Sequence, residues 1–360
     1  MSNVFQRYGR TLAAAAFTLL ITANLCMAQS YTVQTFATGG AVSSTQPDSI
    51  YYANGSVWVS YQNGADSTGL SGSSTVVRYS PAGVLQNTWS IKGNVDGLRV
   101  DPTGMAWALQ NNDGNSTLTV INPVTNATTL YTYGNSYTNV PNRGFDDVVF
   151  PQGNTFLTET NPASNSDPIV LRLTTGLVSP LQVSGILNSQ FTGTNLATGT
   201  SMSDTITDSD SLVVRPNGDL VLTGEADRQL VFISKAGTGS QSVSFINLLG
   251  PSGKPDDVAF NGRYTAGYFL VSDTGGNTVY KILASGLSPN MTFVDIGNEF
   301  GSVDLTTGQV TEIFTGVSPH GVVFVPTPEP MTLTLLGGGL LGIAARRVAR
   351  PVLTSAKKSS

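Results

Sequence analysis

The chain is expected to fold as an all-β propeller, and three observations carry that expectation. A short phrase recurs six times, each copy leads into a turn and a further strand, and no segment between the two ends of the chain keeps a helical period. In the phrase an Asp, once a His, stands two positions before an aliphatic residue and four before an aliphatic or aromatic one. The turn residues are Asp48, Asp96, Asp146, Asp210, Asp256 and His320, separated by 48, 50, 64, 46 and 64 residues. Steps of about 40–50 residues suit blades of four short antiparallel strands, and the two long steps imply insertions.

The elements of each unit can be read in order. Asp101-Pro102-Thr103-Gly104, Pro151-Gln152-Gly153-Asn154 and Arg215-Pro216-Asn217-Gly218 are turns leading into second strands at 105–109, 155–158 and 219–222. Pro early and Gly late is what such turns require. Third strands are expected at 75–79, 118–121, 169–173, 229–233 and 278–282, and fourth strands at 84–91, 128–133 and 242–248. The strand at 31–36 precedes the first phrase and the strand at 321–325 follows the last. The two are expected to share one blade, which closes the ring and removes exposed edges. Six phrases predict six blades, while 291–295, 301–305 and 309–314 leave a seventh open. The polar stretch 188–207 reads as a long loop.

The repeated phrases resemble those of the NHL and gluconolactonase-like (senescence-marker-like) propeller superfamily, in which a Pro-Asp/His-Gly turn opens each innermost strand. The resemblance runs over most of the body and implies a fold. Because propellers of that kind serve many functions, it implies no single activity.

Charged residues are 11% of the chain, against about a quarter in ordinary globular proteins. Seven of the eighteen basic residues lie in the two end segments, leaving eleven basic against twenty-two acidic residues in 29–325, a net charge near −11. Such a surface repels nucleic acid and anionic lipid and suits cations, neutral glycans or matrix proteins. The one cysteine, Cys26, falls in the N-terminal segment, so cysteine-based metal or nucleophile chemistry is not expected in the body.

That segment has a basic start (Arg7, Arg10), an apolar run over 12–25 and small residues up to Ala28. It reads as a signal peptide, 1–28, cut between Ala28 and Gln29. At the other end, Pro326, Pro328 and Pro330 forbid regular structure, a short Gly/Leu-rich apolar run follows over 331–345, and Arg346-Arg347 form a basic stop. These features resemble the PEP-CTERM sorting signal. The resemblance implies Pro328-Glu329-Pro330 as the recognition box of an exosortase, Arg346 and Arg347 on the cytoplasmic side, and 331–345 as a single apolar anchor helix. It also implies passage through signal peptidase, transient inner-membrane anchoring, and an address in the envelope or extracellular matrix of a Gram-negative bacterium. The expected domains are thus 1–28, a propeller at 29–325, and a sorting segment at 326–360.

Two roles stand open for the repeated Asp. Its carboxylate can cap backbone N–H groups in the turn, or Asp48, Asp96, Asp146, Asp210 and Asp256 can ring the mouth of a central channel, where oxygen ligands favour a divalent cation such as calcium. Glu159, Asn161, Glu225, Asp227 and Asp273, at second-strand ends, are weaker metal candidates. His320 is the lone histidine and occupies a turn position, so no Ser/His/Asp arrangement is expected. The loops 111–115 and 204–210 lack the spacing of an EF-hand and read as solvated. The aromatic residues Tyr51, Tyr52, Trp58, Tyr61, Trp89 and Trp107 offer a sugar-stacking platform, but most of them alternate within strands and read as core. The reading favoured is a non-catalytic binding or structural component of the envelope or matrix. The alternative is a secreted metal-dependent propeller hydrolase or lyase acting on lactone-like substrates.

Overall fold

The computed structural model describes residues 28–134 and 141–327. The sorting box, the apolar run and nearly all of the signal segment lie outside them. Among the described residues no helix is long and apolar enough to cross a membrane.

Six sheets stand around one axis. Their innermost strands are Pro47–Ala53, Val95–Val100, Phe145–Val149, Ser209–Val214, Pro255–Phe260 and Pro319–Pro326, the six phrases of the sequence. Blades 1 to 3 are built by the chain in simple succession. Six apolar clusters fill the spaces between neighbouring blades. The one between blades 1 and 2 stacks Trp58 on Trp89 at 5.4 Å, and the one between blades 6 and 1 closes the circle with Ile50, Tyr61 and Leu270. Each blade therefore buries both faces, and neither face is stable without its neighbour.

Closure joins the ends as expected, with an exchange that the sequence reading did not contain. Blade 6 runs, from the axis outward, Pro319–Pro326, Ala266–Asp273, Thr278–Ser285 and Ser30–Thr38. Its two middle strands come from the chain directly after the inner strand of blade 5. The chain then returns, and Thr292–Ile296, Glu299–Val303 and Val310–Thr315 complete blade 5. These strands are thus not a seventh blade, and the strand expected at 278–282 belongs to blade 6. Three separate stretches make the last blade, which ties the N-terminal strand to both the middle and the end of the chain.

The stretch read as a long loop is a hairpin instead. Gln190–Asn195 pairs antiparallel with Thr200–Thr205 and parallel with Ser242–Asn247, widening blade 4 to six strands. Its composition is polar because the first four residues of Thr200–Thr205 are exposed, yet Phe191 is buried against Phe245.

Every inner strand carries a β-bulge at its turn residue. Pairing skips one extra residue between Pro47 and Ile50, Val95 and Leu98, Phe145 and Val148, Ser209 and Leu212, and Pro255 and Val258, and a matching shift falls at His320. A bulge re-aims the side chains on either side of it. Here it turns the Asp or His toward the axis while the residues after it return to packing between blades.

Candidate cation-binding cup

The bulged turn residues meet at one mouth of the channel and line a cup of about 380 Å³ together with Asn94, Asn112, Thr160 and Glu225. Carboxylate oxygens of Asp96, Asp146 and Asp210 all lie within 4.8 Å of one another. Asn112 Nδ2 donates to Asp146 Oδ1 at 2.9 Å and to Asp96 Oδ2 at 3.3 Å. Gln62 Nε2 donates to Asp96 at 3.1 Å, and the Thr160 hydroxyl donates to Asp146. Beside them the side-chain oxygens of Asn94 and Asn112 are buried and accept no hydrogen bond. Asn94 is only 6% exposed.

The electrostatics follow from burial and crowding. Desolvation, then the neighbouring Asp96, pushes Asp146 well above the ordinary carboxylate range. Burial, then Asp256 and Asp146, does the same to Asp210, and burial with Asp96 raises Asp48. Asp96 is pushed up to about 6 by burial and Asp256. Without a counter-ion these groups bind protons more tightly than free carboxyls do, and a cation would compete with those protons. His320 supplies part of the missing charge, with Nδ1 3.3 Å from Asp256 Oδ1 and 3.7 Å from Asp48 Oδ1. Burial works against its imidazolium, but Asp256 and then Asp48 outweigh it and push His320 up to about 10. On the wall, Lys254 Nζ bridges Asp208 at 3.2 Å and Glu225 at 3.3 Å. Glu225 is raised to about 7 by burial and Asp208.

The capping role considered for the repeated Asp falls largely to a different residue. The carboxylate of Asp147 accepts from Leu212 N at 3.0 Å, and that of Asp257 accepts from Val322 N at 3.1 Å. Each thereby ties its blade to the next inner strand. Between them sits Arg99, 5% exposed, 2.5 Å from Asp147 and 3.9 Å from Asp257. None of the three lines the cup; they lie along the inner strands between the turn residues and the other mouth of the channel, which Arg99 lines.

Of the weaker metal candidates, Asn161 and Glu225 line the cup. Glu159 is fully buried and held by Arg143 Nε at 2.6 Å. Asp227 accepts from Thr207 N at 2.6 Å, and Asp273 caps Gly276 N and Ser318 N. Those three stand apart from the cup. The loop 111–115 is not merely solvated, because Asn112 and Asp113 reach into the cup. Sequence reasoning missed Asn94, Asn112 and Arg99. The signal present for Asn112 was its run of oxygen side chains, and for Arg99 a lone cation inside an otherwise apolar inner strand.

A hard cation fits this donor set. The ligating atoms are all oxygens, three carboxylates converge, and two buried amide oxygens await a partner. Nitrogen enters only through His320, which is occupied by carboxylates.

No family model matches the chain, and no curated protein matches it. Solved structures that are similar include a streptogramin B lyase, 13% identical, covering 81% of this chain and 91% of that one, with a TM-score of 0.45. A periplasmic gluconolactonase of Pseudomonas aeruginosa is 15% identical, over 78% of this chain and 89% of that one, with a TM-score of 0.45. A protein of unknown function from Bacteroides caccae is 12% identical, over 78% and 86%, with a TM-score of 0.46. Likenesses of that distance leave the chemistry to be argued from this chain's own residues.

Proposed function

We propose that the chain is an exported propeller whose acidic cup holds a divalent cation, calcium by its donor chemistry, and through it an oxygen-rich ligand such as a glycan or another matrix component. The observation that carries this reading is the convergence of Asp96, Asp146 and Asp210 beside the buried, unpartnered oxygen of Asn94. Six blades each deliver one turn residue to the same mouth, and five of the six are carboxylates. A bound cation would relieve their mutual repulsion and leave its outward face to a ligand. The role is one of binding. In the cation-free cup Asp256 and Asp48 hold His320 as an imidazolium, which suits it to balancing charge at the mouth.

One observation favours the second reading, a metal-dependent hydrolase or lyase of lactone-like substrates. Glu225 sits on the cup wall with its carboxyl raised to about 7, the range in which a general acid or base works best. Calorimetric titration of calcium into chelator-treated residues 29–327, with a lactone-hydrolysis screen run with and without chelator, separates the two. All strand pairs described lie within 30–326, so that piece is a closed ring. Saturable binding without turnover supports the binding role, and chelator-sensitive turnover supports the enzyme. Absence of binding removes both.

The export reading rests on sequence alone. It takes the chain through signal peptidase at Ala28/Gln29 and an exosortase at Pro328-Glu329-Pro330 to the cell envelope or matrix. Replacing Glu329 and both flanking prolines should leave uncleaved precursor in the inner membrane. Normal maturation of that variant would refute the motif.

A further inference from the structure

The channel has a second mouth, and its chemistry is opposite to that of the first. Three and four positions beyond each turn residue, the six inner strands place Tyr51 and Tyr52, Arg99 and Val100, Val149 and Phe150, Val213 and Val214, Ala259 and Phe260, Val323 and Phe324. All twelve line one cavity of about 600 Å³. The same phrase that opens on a carboxylate therefore ends on an apolar collar, and the bore is acidic at one end and apolar or aromatic at the other.

Packing does not fill this bore. Four of the six third positions carry small side chains, Val149, Val213, Ala259 and Val323, and the other two carry Tyr51 and Arg99. The volume falls within the roughly 300–1,000 Å³ of small-molecule pockets, and the six inner strands surround it laterally with the mouth left open, which suits a compact guest better than a protein surface. At its floor lies the guanidinium of Arg99, 5.3 Å above the Tyr51 ring. Its recorded hydrogen bonds run from Nη2 to Asp147 and, at 3.4 Å, from Nη1 to the Leu98 carbonyl. An arginine carries five N–H donors, so donors remain for a guest. The charge of Arg99 is already balanced by Asp147 and Asp257, and the floor offers no net attraction to an anion.

We propose that this second mouth is a binding site for a neutral, flat, largely apolar molecule that accepts a hydrogen bond from Arg99. It is separate from the cation cup, because the Arg99–Asp147–Asp257 triad stands between them.

The test uses residues 29–327 and Nile red, a neutral planar dye bearing a carbonyl. The expected result is saturable binding of one dye per chain with a blue-shifted emission, unaffected by calcium. 8-Anilinonaphthalene-1-sulfonate, an anion of similar size, should bind about tenfold or more weakly. Val213→Phe and Val323→Phe, at half-buried positions of the collar, each narrow the bore and should weaken dye binding at least about tenfold while far-ultraviolet circular dichroism stays unchanged. Binding that ignores both substitutions, that favours the anion, or that rises only with self-association of the chain overturns the proposal. Should neither variant fold, the comparison of the two dyes on the native ring still decides it.

Discussion

His320 and Asp256 form the closer of two contacts between unlike charges among the six turn positions, Nδ1 to Oδ1 at 3.3 Å, with Asp48 Oδ1 at 3.7 Å from the same nitrogen. The exception in the repeated phrase thus has a physical role. A sixth carboxylate at that place would face Asp256 and Asp48 with nothing to balance them. His320→Asp is expected to lower the melting temperature of the cation-free ring and to enlarge the rise that calcium produces. Equal melting of the variant and the native ring in chelator would argue against a crowded acidic cup.

The pH dependence has a definite sign. Asp96 is raised from 3.8 to about 6, so its contribution to stability is whole below about pH 4 and is lost as pH rises through 6. His320 is raised from 6.5 to about 10, so its contribution is whole below about 6.5 and is lost as pH rises through 10. Both slopes run the same way. The cation-free ring should melt at lower temperature at pH 8 than at pH 5, and calcium should restore more at pH 8, where protons compete less. A flat or rising profile in chelator, followed by scanning calorimetry, would contradict this.

Asn112 holds Asp96 and Asp146 together through one amide nitrogen. Asn112→Ala should reduce calcium affinity about 10–100-fold, the usual cost of removing a group that orients ligands, with little change in chelator-treated stability. Calorimetric titration of the variant reads the difference.

Blades 2 and 3 approach closely at the residue after the turn of blade 2. A Cβ on Gly97 would fall against the Asp146 carbonyl, far inside van der Waals contact, and that oxygen is backbone. Gly97→Ala should therefore destabilise the ring by about 1–3 kcal/mol, as overpacking does, measured by urea denaturation. Wild-type stability would mean that blades 2 and 3 are looser than described.

Blade 6 depends on the first described strand. Deleting residues 29–38 removes the outer partner of Thr278–Ser285 and uncovers its edge. The expected result is loss of a single cooperative melting transition. An unchanged melt would show that the closure contributes little.

The sequence revealed the inner strands because a propeller must repeat its core phrase at every blade. The Asp or His, the aliphatic residue two positions on and the larger one at four together marked six strands and their common mouth. What stayed hidden was non-local. Nothing in 266–285 announces that these strands skip to the neighbouring blade, because their alternation is satisfied equally well in either sheet. The hairpin at 190–205 lacked apolar alternation, since only Phe191 packs inward on a core. The cup's Asn94 and Asn112 come from single, unrepeated positions, and a lone Arg99 gives no hint of two carboxylates from other blades.

Anomalous diffraction from crystals of residues 29–327 equilibrated with manganese(II) tests the cation cup most directly. The expected result is an anomalous peak bounded by the carboxylates of Asp96, Asp146 and Asp210. A fully folded ring with no peak at that position under saturating metal would contradict it.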